Sequence, residues 1–453
     1  MRGHRQPITR RDVLRGASAA GMLAFAPHLR AAEWSNWSGW QKAQPRQLLF
    51  ARSEAEIAAA VKAAREVRAF GGSHSFSPIV PCNDTMISLE AMNGIIDHDA
   101  ATHRATLWAG TRLANASMQL AELGQSLLNE PDINLQSMAG LINTAVHGTG
   151  RTLQCFSACV TALRLVTASG EVLSCSAAEN TELFEAARVG IGSLGVITQL
   201  TLQNAPLYKL RETVHLMSLD DTLATVQRDK DKHRHIECWA FIDGDEGIVK
   251  IQDIVDAADT PPPAPSVDEN RMLDFFARVA RRAPWLNTAI QDLVGWFVED
   301  SERIGPAWKI FPSLRTVPFN EREYQLPLET GFECFEEVRH TMRAADVQVV
   351  FPLEFRFVKG DDCWLSPFYG RDSISISAHQ YYKQDYRPLF ALLEPVFRKY
   401  GGRPHWGKLH TQTAADFAGM YPRWQDFLRV REHYDPGGKF LNPHMRDVFG
   451  IEG

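Results

Sequence analysis

Four short segments of this 453-residue chain carry residue types that could do chemistry. The first is Gly71-Gly72-Ser73-His74-Ser75, which follows an apolar stretch ending at Phe70. Two glycines at a strand end leave backbone N–H groups free to form an anion nest, which suits a diphosphate, and Ser73 and Ser75 add hydroxyl donors. His74 would be held against whatever that loop binds; the alternative is a surface turn with a solvated histidine. The second segment, Ser137 to Gly150, is dominated by small residues and includes Gly140, His147, Gly148 and Thr149. Bare backbone of this kind can press against a flat or phosphorylated ligand, or pack as a tight helix and turn. In the third, Phe351 to Val358, side chains alternate faces along a strand. Phe351, Leu353, Phe355 and Phe357 share a core face, while Glu354 and Arg356 share the other. Arginine can hold a developing oxyanion and glutamate can orient it or bind a hydroxyl, so the pair marks either a polar cleft or a structural ion pair. The fourth, Arg403 to His410, is a Pro-, Gly- and aromatic-rich loop whose candidate is Lys408. Lys408 could bind a substrate hydroxyl or a negatively charged cofactor ring, or be a solvated surface lysine. A strand over 373–382 would place Ser373, Ser375, Ser377, His379 and Tyr381 on one face, toward the same cleft or toward solvent. No metal is expected, because the cysteines form no C-x-x-C pair and His405 and His410 have no helix beneath them.

The elements that must position these segments are legible in the pattern. Ser53-Glu54-Ala55-Glu56 is a capping box, and Ile57, Ala60, Val61 and Ala64 follow at helical spacing. Strands over 48–50 and 67–70 flank that helix, so a βαβ unit delivers the Gly71–Ser75 loop. A strand over 86–89, a hairpin over 95–109 and a helix over 113–123 closed by Gly124 come next. A second hairpin turns at Ser169-Gly170. Gly190-Ile191-Gly192-Ser193-Leu194-Gly195 matches G-x-G-x-x-G, but it leaves a helix over 181–189 and enters a strand over 195–202. The dinucleotide fingerprint needs the reverse order, so that a helix N-terminus meets the pyrophosphate; the Rossmann reading is rejected and the turn is kept as a backbone contact for a cofactor. Beyond Leu207 the pattern changes to strands with a connecting helix over 208–255. A proline-rich linker follows at 261–266. Phe275, Val279, Leu286, Ile290 and Val294 then recur at helical spacing within 270–310, as expected for the core packing of a helical insertion. Strands over 349–358 and 373–382 precede a helix over 387–399, with Pro388 in its first turn.

Composition narrows the class. Lys and Arg total 48 against 54 Asp and Glu, a net charge of −6, which excludes a basic nucleic-acid binder as the default. Hydrophobic residues make up 45% and charged residues 23%, the balance of a folded globular chain rather than a disordered one. No run reaches the roughly 18 apolar residues of a membrane span. Seven cysteines, an odd number, do not read as a disulfide scaffold. Residues 1–32 read as a twin-arginine signal: Arg10-Arg11 precedes a mild apolar stretch from Ala17 to Pro27, with cleavage expected near Ala31 or Ala32. The expected setting is therefore periplasmic or secreted, in a bacterium, with the twin-arginine export machinery as a partner.

Taken in order, these segments resemble the sugar-1,4-lactone oxidase and alditol oxidase family, arabinonolactone and gulonolactone oxidases included, of the vanillyl-alcohol-oxidase (PCMH-type) flavoproteins. The resemblance covers residues 40–450. It rests on the Gly-Gly-Ser-His-Ser loop, His147-Gly148-Thr149-Gly150, Gly192-Ser193-Leu194-Gly195-Val196-Ile197, Glu354-Phe355-Arg356, Pro404-His405-Trp406-Gly407-Lys408 and a closing Asp435–Asn442 motif. It implies an α+β fold with a two-subdomain PCMH-type FAD-binding domain over 40–206. An α+β cap, or substrate domain, would span 207–400, with an antiparallel sheet, flanking helices and a helical insertion at 256–315. A C-terminal segment, 401–453, would return to the flavin site. The resemblance implies FAD, bound covalently through His74, with Gly71, Gly72, Ser73, Ser75, Ser137, Gly140, His147, Gly148, Thr149, Gly192, Gly195 and Val196 around it. Glu354, Arg356 and Lys408 would face the substrate. The implied activity is oxidation of a CH–OH group of an aldonolactone or sugar alcohol by hydride transfer to flavin N5. Oxygen is the expected acceptor and hydrogen peroxide the product. A quinone- or cytochrome-linked dehydrogenase is the alternative, and an exported carbohydrate-binding protein without turnover is a third reading.

Overall fold

The computed structural model describes residues 33–261, 269–297, 300–313, 315–345, 347 and 349–452. The export segment and most of the proline-rich linker lie outside the described residues. Strands β1 (Gln47–Phe50), β2 (Val67–Phe70) and β3 (Thr85–Ser88) form a parallel sheet ordered β1-β3-β2. Helix α1 (Glu54–Ala63) connects the first two, with Ser53 Oγ accepting the Glu56 N–H. The Glu56 carboxylate reaches back to the Arg52 N–H, one residue beyond the position a strict capping box uses. The expected βαβ unit is present, with β3 slotted between its two strands.

Strands β4 (Ile95–Asp99), β5 (Arg104–Trp108), β6 (Val160–Val166), β7 (Val172–Ser176) and β8 (Val196–Gln203) build an antiparallel sheet ordered β7-β6-β8-β5-β4. Both expected hairpins are in it. Helix α2 (Leu113–Glu122) is followed by Gly124 at φ +74°. Helix α3 (Met138–Asn143) is capped by Ser137, and α4 (Thr181–Ala187) precedes β8. The glycine turn at 190–195 therefore runs from helix into strand, as the sequence order requires.

From Lys209 the chain forms an eight-stranded antiparallel sheet. Its strands are β9 (Lys209–Ser218), β10 (His235–Phe241), β11 (Glu246–Val255), β12 (Ser301–Pro306), β13 (Phe319–Pro327), β14 (Leu353–Val358), β15 (Ser373–Tyr381) and β16 (Arg403–Pro404). Their order is β12-β9-β11-β10-β14-β15-β13-β16. Helices α5 (Leu219–Asp229), α6 (Glu269–Arg282), α7 (Asn287–Phe297), α8 (Ala307–Ile310), α9 (Gly331–Ala344) and α10 (Arg387–Lys399) accompany it. The two faces of the sheet separate by alternation. Ile236, Cys238, Leu353, Phe355, Phe357, Ile374 and Ile376 join Val226 of α5, Phe335 and Val338 of α9 and Leu393 of α10 in one apolar core. On the opposite face Glu354, Arg356 and His379 line a cavity, and Glu237 stands beside Arg356 in the sheet register.

The insertion differs from expectation in two ways. Residues 301–306 form an edge strand paired with β9 rather than helix. Phe275 is 55% exposed and Leu286 is also exposed, while Phe276, Ala277, Ala280 and Ile290 are buried, so the apolar stripe of α6 is offset by one residue. The side chain of Val294 lies outside the described residues. The strand expected over 349–358 begins only at Leu353, because Pro352 has no N–H to give a ladder. The tail forms α11 (Ala414–Met420), α12 (Trp424–Tyr434) and α13 (Pro443–Phe449). Trp406, Phe417, Trp424, Phe427 and Phe449 complete the core shared by Val61, Leu107 and Leu200, so the last segment packs into the first domain.

Candidate active site

A cavity of about 760 Å³ is lined by both halves of the fold. Gly71, Gly72, Ser73, His74, Ser75, Ser137, Gly140, His147, Gly192 and Gly195 form one wall, and Glu354, Arg356, His379 and Lys408 belong to the other. Gly148, Thr149 and Val196 do not line it. A Cβ on Gly148 would meet Asn129 Oδ1 and Glu130 O at 2.3 Å, so this glycine serves a close approach of protein backbone. The Thr149 hydroxyl donates to Ile236 O at 2.7 Å and accepts the Phe357 N–H at 3.2 Å. Val196 is fully buried in the apolar core. Direct contact with the cofactor was expected of all three. Tyr381 is also absent from the lining; its hydroxyl donates to Asp274 at 2.8 Å.

The glycine loop is shaped by crowding. A Cβ on Gly71 would fall 1.9 Å from Ser137 Oγ, and one on Gly72 would fall 2.6 Å from Leu135 O. Ser73 adopts φ +58°, held by the indole N–H of Trp34 on its Oγ at 3.1 Å and by the Trp37 N–H on its carbonyl at 2.8 Å. Trp37 lies against the His74 ring at 5.3 Å. Burial, with the positive charges of Lys408 and Arg112, pushes His74 down to about 4, so its imidazole is neutral at neutral pH. Among the described residues His74 Nδ1 is buried without a hydrogen-bond partner, and so is Gln136 Oε1 in the same wall. The 190–195 turn holds Ile191 at φ +51° and Gly192 at φ +67°. Arg68 fixes it, donating to Gly192 O at 2.8 Å and Ile191 O at 2.9 Å.

The opposite wall is a dense polar network. Arg356 donates to Glu354 Oε1 at 2.6 Å, Asp132 Oδ2 at 2.7 Å and Glu237 Oε2 at 2.7 Å. Lys250 pairs with Glu237 Oε1 at 2.5 Å and Asp132 Oδ1 at 3.1 Å. Burial pushes Glu354 up to about 8, and the charges of Asp132, Glu237 and Glu321 add to the rise against the pull of Arg356. Burial also acts to raise Asp132, but the charges of Lys250 and Arg356 override it and hold that carboxyl far below the usual range. The Trp239 indole donates to Glu354 Oε1 at 2.9 Å. Both bonds to Glu354 thus fall on Oε1, leaving Oε2 to carry the proton.

Lys408 pairs with Glu321 and lies 3.7 Å from Glu323 Oε2, over the Phe76 ring at 5.0 Å. Glu323 accepts from Gln325 at 2.6 Å and Ser375 at 2.9 Å, and meets His147 Nε2 at 2.6 Å. Burial would raise Glu323, but His405, His147 and Lys408 hold it well below its ordinary value. His405 Nδ1 accepts the Gly407 N–H at 3.0 Å, which leaves its proton on Nε2, and burial pushes its ring down to about 3. Arg356 and Lys250 offset Asp132 and Glu237, while Lys408 is shared between Glu321 and Glu323.

Asp132, Glu237, Lys250, Glu321 and Glu323 were not among the residues singled out in the sequence, and His405 was weighed there only as a metal ligand. Glu321, Glu323 and Gln325 alternate along β13, and that period-two pattern was available to find them. Glu237, Lys250 and Arg356 meet only through the sheet register, which the sequence does not display.

A family signature described as D-arabinono-1,4-lactone oxidase matches residues 200–448, and one described as FAD binding domain matches residues 45–176. L-gulono-1,4-lactone dehydrogenase of Mycobacterium tuberculosis is 37% identical over 428 residues, covering 92% of this chain and 99% of its own. L-gulonolactone oxidase of Bos taurus is 31% identical over 441 residues, covering 93% and 99%. Alditol oxidase of a Streptomyces species is 26% identical over 431 residues, covering 91% and 98%. Among solved structures, a solvent-stable cholesterol oxidase superposes with a TM-score of 0.79 at 16% identity, covering 92% of this chain and 97% of its own, which speaks to the fold alone. The FAD-binding match contains the Gly71–Ser75 loop and the Ser137–His147 segment, and the lactone-oxidase match contains Glu354, Arg356 and Lys408. The chain belongs to the D-arabinono-1,4-lactone oxidase family, with a PCMH-type FAD-binding domain.

Proposed function

We propose that this protein oxidises a CH–OH group of a sugar lactone or sugar alcohol, with FAD as its cofactor and oxygen as its electron acceptor. The observation that carries this reading is the convergence of Glu354, Arg356 and Lys408 on one cavity whose opposite wall is the glycine cradle. The cradle fits FAD: its glycine backbone lines the cavity, and His74 Nδ1 and Gln136 Oε1 stand buried there without partners among the described residues. When bound, FAD supplies the hydride acceptor. The Gly71–Ser75 loop and the Gly192 turn hold it by backbone. Arg356 and Lys408 stabilise negative charge arising on the substrate oxygen. Glu354, protonated on Oε2 at neutral pH, donates a hydrogen bond to a neighbouring substrate oxygen, as a buried neutral carboxylic acid can. Relatives named for lactones and for alditols support this substrate class. The test is an anaerobic screen of lactones, alditols and aldoses against the yellow protein. Flavin bleaching with a lactone or alditol is expected, and no bleaching with any of them overturns the reading. Arg356→Met should cut turnover by about 100-fold or more with FAD content unchanged.

We also infer a covalent bond from His74 to the 8α-methyl carbon of FAD, in which an N–H and a C–H bond would break and the electron pair would pass to the flavin and on to oxygen; a neutral imidazole with a nitrogen unpartnered among the described residues supports it. Acid precipitation should carry the colour into the pellet, and His74→Ala should leave it in the supernatant. Colour in the wild-type supernatant overturns the bond. The acceptor is tested by peroxide yield per substrate oxidised. A near-zero yield would favour the dehydrogenase reading, which the name of the Mycobacterium tuberculosis relative supports. We further propose twin-arginine export: replacing Arg10 and Arg11 by lysine should retain the protein in the cytoplasm, and unchanged export would sink that proposal.

A further inference from the structure

Glu237, Lys250 and Arg356 stand side by side on three neighbouring strands. The register pairs Glu237 of β10 with Lys250 of β11 on one side and with Arg356 of β14 on the other. One carboxylate between two cations leaves the row short of negative charge. Asp132, from the loop before α3 in the first domain, supplies it and closes a ring of alternating sign. Around that ring the contacts are Asp132 Oδ1 to Lys250 Nζ at 3.1 Å, Lys250 Nζ to Glu237 Oε1 at 2.5 Å, Glu237 Oε2 to Arg356 Nε at 2.7 Å and Arg356 Nη2 to Asp132 Oδ2 at 2.7 Å. No side chain in it is more than 12% exposed, so solvent screens these charges weakly. The Asp132 backbone is itself anchored, its carbonyl accepting the Ser313 N–H at 2.9 Å. Asp132 is the one member of the ring that belongs to the half of the molecule carrying the glycine cradle.

We propose that Asp132 is a positioning residue that fixes Arg356, and through it Glu354, at a set place relative to the FAD-binding half. Thr149 and Gly150 of the first domain already tie the backbone of Phe357, next to Arg356, to the cradle half. Asp132 is the residue of that half that holds the Arg356 guanidinium itself. Catalysis by charge stabilisation is sensitive to such placement, since a misplacement of about 1 Å can cost about 100-fold in rate. The inference rests on the role of Arg356 proposed above. The groups facing Glu354 are Arg356, Asp132, Glu237 and Glu321, with Trp239 on Oε1 and His379 close by. Asp132 is thus also one of three carboxylates that keep the proton on Glu354, so its removal should lower the pH at which that proton is lost.

The experiment is Asp132→Asn in the full-length, FAD-loaded protein. FAD content should hold, kcat should fall by about 10- to 100-fold with KM little changed, and the alkaline limb of the kcat profile should move to lower pH. A wild-type kcat with an unmoved limb overturns the proposal, and so does a change confined to thermal stability. If Asp132→Asn does not fold, the charge-balanced double variant Asp132→Asn with Lys250→Met carries the same readings. Wild-type turnover in Arg356→Met would remove the reading beneath this inference. A crippled Arg356→Met beside a wild-type-like Asp132→Asn would overturn this inference alone.

Discussion

At the scale of single residues, the protonation of Glu354 is the feature with the clearest kinetic consequence. Its carboxyl is pushed up to about 8, chiefly by burial, so at pH 7 it is a neutral acid that accepts on Oε1 and donates from Oε2. If the protonated form is the working form, turnover is full below that value and declines as pH rises through about 8. Glu354→Gln keeps a neutral donor and acceptor but cannot titrate. It should retain measurable turnover and lose the alkaline limb. A limb that persists unchanged in Glu354→Gln would assign it to another group. The same residue shows how far sequence alone reaches. Alternation placed Glu354 and Arg356 on one face of a strand, and the structure places them there with the apolar residues between them in the core. Nothing in the local sequence disclosed the proton on Glu354, because it depends first on burial and then on Asp132, Glu237 and Glu321 from three other segments.

At the scale of elements, local signals read well where chain-local physics decides. The capped helix α1, both hairpins, the helix-then-strand order around Gly190–Gly195 and α10 all follow from periodicity and turn chemistry. What the pattern did not display is set by distant partners. Strand β12 exists because residues 301–306 pair with β9. Thr149 is another such case. Its position in a small-residue segment pointed to a ligand, whereas its hydroxyl joins Ile236 of β10 to Phe357 of β14. Thr149→Val preserves shape but leaves the buried Ile236 carbonyl and Phe357 N–H without that partner. Each loss costs about 1–3 kcal/mol. The variant should therefore melt several degrees lower while holding its FAD, as read by calorimetry and flavin absorbance. An unchanged melting point with lost FAD would return Thr149 to the cofactor wall.

At the scale of the whole molecule, burial of titratable groups shapes stability against pH, and the signs can be worked through. His235, His405 and His410 are pushed down to about 3 and His444 to about 4, in each case chiefly by burial. Unfolding returns them to about 6.5, so below that pH the unfolded chain binds more protons than the folded one. Their contribution is complete above about pH 6.5 and is lost as pH falls toward 3 to 4. Glu130 and Glu354 act in the opposite sense. Both are pushed up to about 8, so the folded chain holds two protons that the unfolded chain releases above about pH 4.5. Their contribution is complete below about pH 4.5 and is lost as pH rises to about 8. Between pH 4.5 and 6.5 these histidines, joined by His74 and His379, outnumber the raised carboxyls, Glu246 and Asp361 included, and stability rises with pH. Between 6.5 and 8 only the carboxyls act, and stability falls. Each uncompensated proton changes stability by about 1.4 kcal/mol per pH unit. Thermal unfolding of the FAD-loaded protein should therefore show a melting-point maximum near pH 6.5, with a decline on both sides. Glu130→Gln should flatten the alkaline side and leave the acid side as it was. A melting point that climbs steadily from pH 5 to 8 would mean that Glu130 and Glu354 do not hold their protons in the folded protein.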